Sequence, residues 1–212
     1  VLGGAMTAFW LNVMWMMAAQ LYWEKDQGNL DLYFTTPISL MAVLFGMAVG
    51  GLLSSCLRAT IVLGVGRVLY GVSFAVSDWF LLLAVFFLTL TALYGLGMVL
   101  ASLFLLFGRE AWHLSAAMQE PVYFVSGLNF PVGQLGILGA LAISLIPHAV
   151  GLDAMRQLAF ATSDVQFGTP SPGVEALILV IMTVVFIGFA RFMLGRLERM
   201  AREQGKLSVR GG

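Results

Sequence analysis

Residues 79–107 read WFLLLAVFFLTLTALYGLGMVLASLFLLF, a run of 29 positions without one charged side chain. About 20 apolar residues in a helix cross the hydrocarbon core of a bilayer, and the core admits only helices or closed barrels because backbone groups find no water there. The run therefore predicts a membrane span from Trp79 to Phe107, closed by Arg109-Glu110. The rest of the 212-residue chain agrees: it is 60% hydrophobic and 10% charged, against the roughly 25% charge a soluble domain needs to keep its surface wet. A soluble-domain reading is excluded.

Working toward the N-terminus, Gly71–Asp78 is a short link. Before it an apolar stretch interrupted by Arg58 and Arg67 predicts a span over 46–71, with 32–45 lying along the interface. A polar island, Glu24-Lys25-Asp26-Gln27-Gly28-Asn29-Leu30-Asp31, separates this from a charge-free run, Val1–Trp23, whose closing Tyr22-Trp23 suits the headgroup boundary. Val1 already lies inside an apolar stretch, with no initiator Met and no basic signal-peptide start, so a preceding segment is expected. Toward the C-terminus, a span over 112–130 carries Glu120-Pro121, and a last one covers 175–196. Between them Leu135–Ile146, bounded by Pro131 and Pro147, is too short to cross and predicts a re-entrant or interfacial helix. Residues 151–174 continue it as a polar stretch ending in Gly168-Thr169-Pro170-Ser171-Pro172-Gly173, a loop-forming run. The fold class is an all-α membrane bundle of about five spans with an outer hairpin between the last two.

The net charge of zero conceals an asymmetry. Six bases (Arg191, Arg196, Arg199, Arg202, Lys206, Arg210) face only Glu198 and Glu203 after residue 190, while nine acids and five bases precede them. Lys and Arg near span ends set orientation, so the tail 197–212 is expected in the cytoplasm, together with Lys25 and Arg109. Segment 132–174 then lies outside. Within the tail, Glu198 and Arg202 stand at i, i+4 on a solvated helix extension.

Three stretches carry a resemblance. Tyr22–Ser39, YWEKDQGNLDLYFTTPIS, is similar to the cytoplasmic pattern of the permease subunits of type-2 ATP-binding-cassette (ABC) exporters: an acid–base pair, Gly, small polar residue, Leu, then Thr-Pro and a hydroxyl residue. Ser126-Gly127-Leu128-Asn129-Phe130-Pro131 resembles the family's Ser-Gly-x-x-Phe-Pro at an outer helix end. Pro147, followed by Gly151-Leu152-Asp153-Ala154-Met155-Arg156, is similar to its outer hairpin. The three occur in family order and cover nearly the whole chain; the family's amphipathic leading helix and first span are absent, which implies six helices in the family against five here.

The resemblance implies a single permease domain over 1–212 that dimerises, as homo- or heterodimer, in the cell membrane. It binds a separate ATPase subunit that holds ATP and Mg; the chain itself would bind no cofactor or metal and have no catalytic residue, and no nucleic-acid partner is expected. Residues 24–37 would be the segment that docks on the ATPase, with Glu24, Lys25, Asp26, Gly28, Leu30, Asp31, Tyr33, Phe34 and Pro37 as its contacts. Leu30, Tyr33 and Phe34 share one helical face, and Pro37 ends that helix. Without the resemblance the island reads more readily as an ordinary solvated loop between two spans. Ser126, Gly127, Phe130, Pro131, Pro147, Asp153 and Arg156 would form the outer gate. The cargo implied is drug-like, lipid-linked or otherwise amphipathic, moved outward by alternating access.

Two residues are costly wherever they lie. Arg58 falls about twelve residues into its expected span, roughly 18 Å deep, and Glu120 about eight residues into its own, roughly 12 Å deep. An intramembrane charge faces protein or water, so Arg58 and Glu120 are expected to pair, either lining the path beside the kink at Pro121 or as a structural clamp. The same pair supports a rival reading, a secondary transporter or channel using them for ion coupling. A membrane-embedded enzyme is a third: Ser126 and His148 suggest a serine protease, which would need them within hydrogen-bond reach. His113 and His148, the only histidines, lack metal-type spacing, and no Gly-x-x-x-x-Gly-Lys-[Ser/Thr] is present, so the chain is not itself a P-loop ATPase. Phe, Trp and Met could line a greasy pocket but more often meet lipid or fill packing. Gly46-x-x-x-Gly50 and Ala92-x-x-Gly95-x-Gly97 allow close helix approach.

Overall fold

The structure is a computed structural model that describes residues 1–35, 38–107, 113, 119, 123, 126, 145–160 and 170–204. Four of its helices are long and apolar enough to cross a membrane: Leu2–Asp26, Leu40–Tyr70, Trp79–Phe107 and Pro172–Met200. The chain is an all-α membrane bundle. The expected span over 112–130 and the short run 135–146 fall mostly or wholly outside the described residues.

The first span has three parts. Helix α1 (Leu2–Leu11) runs into a π-helical stretch, Asn12–Ala18, and continues as α2 (Ala19–Asp26). A short helix α3 (Leu30–Thr35) follows, then α4 (Leu40–Tyr70). The second span's helix thus begins at Leu40 rather than near residue 46, so residues 40–45 are continuous with a helix long and apolar enough to cross a membrane. The local reason is a cap: the Ser39 hydroxyl accepts the Ala42 N–H at 3.2 Å, satisfying one of the orphan donors of the first turn. Leu40, Leu44 and Ala48 then bury one face of the helix from its outset. Gly71 ends α4 in the left-handed region (φ 61°), where a side chain would be strained.

Helix α5 (Trp79–Phe107) has the limits read from the sequence, with the Asp78 carboxylate accepting the Leu81 N–H at 3.0 Å. It is the central element, packed against the first span, α6 (Pro147–Ala159) and α7 (Pro172–Gln204). Close packing is obtained at glycines. A Cβ on Gly97 would stand 2.5 Å from Val13 Cγ1, and one on Gly95 3.1 Å from Phe186 Cβ. Small residues of this kind let helix backbones approach where lipid offers no hydrophobic drive. Gly46 and Gly50, by contrast, have no atom within 4 Å of such a Cβ. Their stripe lies on the outward face of α4 with Phe45, Val49, Leu53 and Leu57.

Two apolar clusters divide the bundle along its length. One joins Phe9, Val13, Leu93, Leu152, Met155 and Leu179; the other joins Met17, Leu21, Leu30, Leu44, Phe104 and Leu194. The first cluster belongs to the end that carries α6. There Ala75 and Ser77, in the link between α4 and α5, donate backbone N–H groups to Ala159 and Leu158, each at 3.0 Å. The second belongs to the end that carries α3. The polar island and the base-rich extension of α7 therefore lie at one end of the bundle, and α6 at the other.

Candidate functional site

The island between the first two spans is built as a turn held from within. Gly28 sits at φ 79°, a conformation that favours glycine, and its N–H donates to the Lys25 carbonyl at 3.1 Å. Glu24 organises this turn: one carboxylate oxygen accepts from Gln20 Nε2 at 2.9 Å, the other from Asn29 Nδ2 at 3.0 Å. The Glu24 carbonyl accepts the Asn29 N–H at 2.9 Å. Lys25 points across the bundle and donates to the Leu105 carbonyl, in the last turn of α5, at 3.0 Å. Cations at helix C-termini satisfy orphan carbonyls and oppose the dipole.

The candidate docking residues accordingly divide. Leu30 is 2% exposed and belongs to the core with Met17, Leu21 and Leu194. Tyr33 is half-buried against the same cluster, and burial, then the Glu24 charge, push its phenol pKa up. Both pack against the bundle, Leu30 fully and Tyr33 in part. What faces outward is Asp26, Gln27, Gly28 and Leu32, the last 64% exposed. The side chains of Asp31 and Phe34, and all of Pro37, lie outside the described residues.

At the same end, Glu198 of α7 accepts the Leu40 N–H with Oε1 at 2.6 Å. The sequence places Glu198 at i, i+4 from Arg202, whose side chain lies outside the described residues; the structure sets one Glu198 carboxylate oxygen on the start of α4. Nothing in local spacing could reveal a bond across 158 positions.

Arg58 is exposed on the outward face of α4, on the same side as Leu57 and Ile61. Glu120 and Pro121 lie outside the described residues. A buried polar contact the sequence reading missed sits deeper: Asn12 Nδ2 donates to the Tyr94 hydroxyl at 3.3 Å, at the start of the π-helical stretch, and Gly51 of α4 packs directly on the Asn12 side chain. The signal was Asn12 itself, the first amide in a charge-free span.

At the opposite end Pro147 occupies the first turn of α6, where its missing N–H costs nothing. Asp153 is buried; Gln157 Nε2 donates to Asp153 Oδ2 at 3.4 Å, to Glu175 Oε2 of α7 at 3.3 Å and to the Pro170 carbonyl at 3.1 Å. Burial pushes the Arg156 guanidinium below its ordinary value, and Asp153 opposes that shift. His148 is fully buried, its ring 5.1 Å from that of Trp10, and desolvation pushes its imidazole down to about 4. Ser126 is also fully buried, yet among the described residues neither its hydroxyl nor either ring nitrogen of His148 has a hydrogen-bond partner. They form no nucleophile–base pair, and the protease reading has no geometric support. Gly127, Phe130 and Pro131 lie outside the described residues.

Comparison with known proteins places these features. The chain is 28% identical over 131 residues to the probable multidrug ABC transporter permease YbhR of Escherichia coli K12, and equally to that of Escherichia coli O157:H7. The match takes in 60% of this chain and 34% of the relative, so the chain spans about a third of the length of the curated relatives it matches. No solved structure matches it. The family described as ABC-2 type transporter matches residues 2–160, which include the first three spans, the polar island and α6. The chain belongs to the ABC-2 type transporter family.

Proposed function

We propose that this chain is membrane-embedded permease machinery of an ATP-driven exporter. ATP and Mg would be held by a separate ATPase subunit that docks on residues 24–37. The observation that carries the reading is the construction of that segment. Its turn is braced internally by Glu24, anchored by buried Leu30, and leaves Asp26, Gln27 and Leu32 outward. A docking element needs that combination of a fixed backbone and exposed charge and apolar contact. It sits at the end of the bundle where the base-rich extension of α7 lies, which the Lys/Arg rule assigns to the cytoplasm. Family membership and the multidrug label of the relatives favour an amphipathic, drug-like cargo moved by alternating access between two permease protomers, with α6 and the residues around Ser126 at the outer side.

The test is export. The chain is co-produced with a candidate P-loop ATPase subunit, and ethidium efflux is followed with and without ATP depletion. Efflux that requires both ATP and an intact Asp26 supports the reading. Efflux driven by an ion gradient without any ATPase supports the secondary-transporter alternative instead.

A further inference from the structure

The docking segment is fastened to the bundle by more than its own two spans. On its N-terminal side Lys25 Nζ holds the Leu105 carbonyl of α5 at 3.0 Å. On its C-terminal side the Leu40 N–H, the first of α4, is held by Glu198 of α7 at 2.6 Å. Leu40 is buried, packed in the cluster that also holds Leu30, Leu44, Leu194 and Leu197. The Ser39 hydroxyl takes the Ala42 N–H, so Glu198 serves a donor the local cap leaves free. A carboxylate on the N-terminal amides of a 31-residue helix is charge-assisted and favoured by the helix dipole. Such a bond is directional: α4 cannot slide or rotate at its start relative to α7 without breaking it. Among the contacts of α4, those to α7 are few, so this one bond carries an unusual share of their relative positioning.

We infer that Glu198 is a positioning residue for energy coupling, fixing the start of α4 to α7 so that displacement of residues 26–38 moves both spans as one body. The inference rests on the proposed docking of an ATPase at that segment. It assigns Glu198, which the sequence sets beside Arg202 on a solvated extension, a role that a surface charge would not have.

The experiment uses the chain in complex with its ATPase in native lipid, with Cys56 replaced by Ser and spin labels at exposed positions 27 and 195. A second pair, 27 and 79, reports movement relative to the far end of α5, a span outside that body. In the parent, ATP with orthovanadate shifts the 27–79 distance and leaves 27–195 unchanged. Glu198→Ala makes 27–195 shift with nucleotide and lowers ethidium exported per ATP hydrolysed. Glu198→Gln, which keeps an acceptor, restores part of both. Replacing the Leu40 N–H by an ester oxygen, with the leucine side chain retained, reproduces Glu198→Ala from the donor side and keeps the test open if the alanine variant fails to fold. A 27–195 distance in the ester and alanine variants that stays as fixed as in the parent overturns the inference. If nucleotide moves nothing in the parent, the ATPase reading fails instead. The width of the 27–195 distribution without nucleotide then decides: broadening in Glu198→Ala supports the strut, and an unchanged width overturns it.

Discussion

Gly151 of α6 lies against Thr89 of α5 so closely that a Cβ on the glycine would overlap the threonine hydroxyl, which is itself bound to the Val85 carbonyl at 2.6 Å. Helix α6 is thereby seated on the central span at a point with no room to give. Gly151→Ala is expected to lower stability by about 1–3 kcal/mol, as overpacking does. Gly50→Ala, on the open face of α4, should be neutral or raise it slightly, by up to about 1 kcal/mol from helix propensity. Thermal unfolding of both variants in the same detergent checks the contrast, and equal losses would contradict it.

His148 makes α6 sensitive to acid. Its imidazole is ordinarily half-protonated at 6.5, but burial holds it neutral in the folded protein until about 4. Below the unfolded pKa the unfolded chain therefore binds a proton that the native one does not, and stability falls as pH falls through that window. Between about pH 7 and pH 5 the loss should be roughly 2 kcal/mol. His148→Phe should remove this component of the pH dependence. Unfolding midpoints of parent and variant compared at both pH values test it; parallel declines would show that His148 is not the group responsible.

Glu24 and Asp26 are two residues apart and are expected to fail differently. Glu24 holds Gln20 and Asn29, whereas Asp26 is exposed. Glu24→Ala should loosen the turn by about 1.5 kcal/mol, seen as roughly tenfold faster amide hydrogen exchange over residues 28–32. Asp26→Lys should leave exchange unchanged while weakening association with the ATPase. Identical exchange in the two variants would remove Glu24 from its bracing role.

The fold was legible because lipid imposes long apolar helices: the limits of α5 are those of its charge-free run, and the glycines read at 95 and 97 are where α5 meets its neighbours. The start of α4 was not, because a seryl cap and a carboxylate 158 positions away decide it. The polar island was legible as a short helical connection between two spans but not in its faces. Its helical spacing groups Leu30 with Tyr33, and only the packing of Leu21, Leu44 and Leu194 shows that this face turns inward. Asn12 with Tyr94, and Glu198 with Leu40, join residues far apart in the chain, and no local pattern marks such pairs.

Arg58 is a costly placement, a guanidinium on the outward face of a helix long and apolar enough to cross a membrane. We propose Glu120 as its partner. Arg58→Ala and Glu120→Ala should each impair export, and the double variant should be less impaired than the sum of the two, because neither charge is then left alone. A strictly additive cycle would mean the two do not touch.

The central claim is that the outward side of residues 26–32 meets an ATPase in the cytoplasm. Its most direct measurement is cross-linking in native membranes, with single cysteines at positions 27 and 32, and at 174 at the opposite end, in a chain carrying Cys56→Ser. The account predicts covalent products with the ATPase subunit from 27 and 32 and none from 174, with position 27 unreactive to impermeant thiol reagents applied outside sealed cells. A product from 174 alone, or labelling of position 27 from outside, would contradict it.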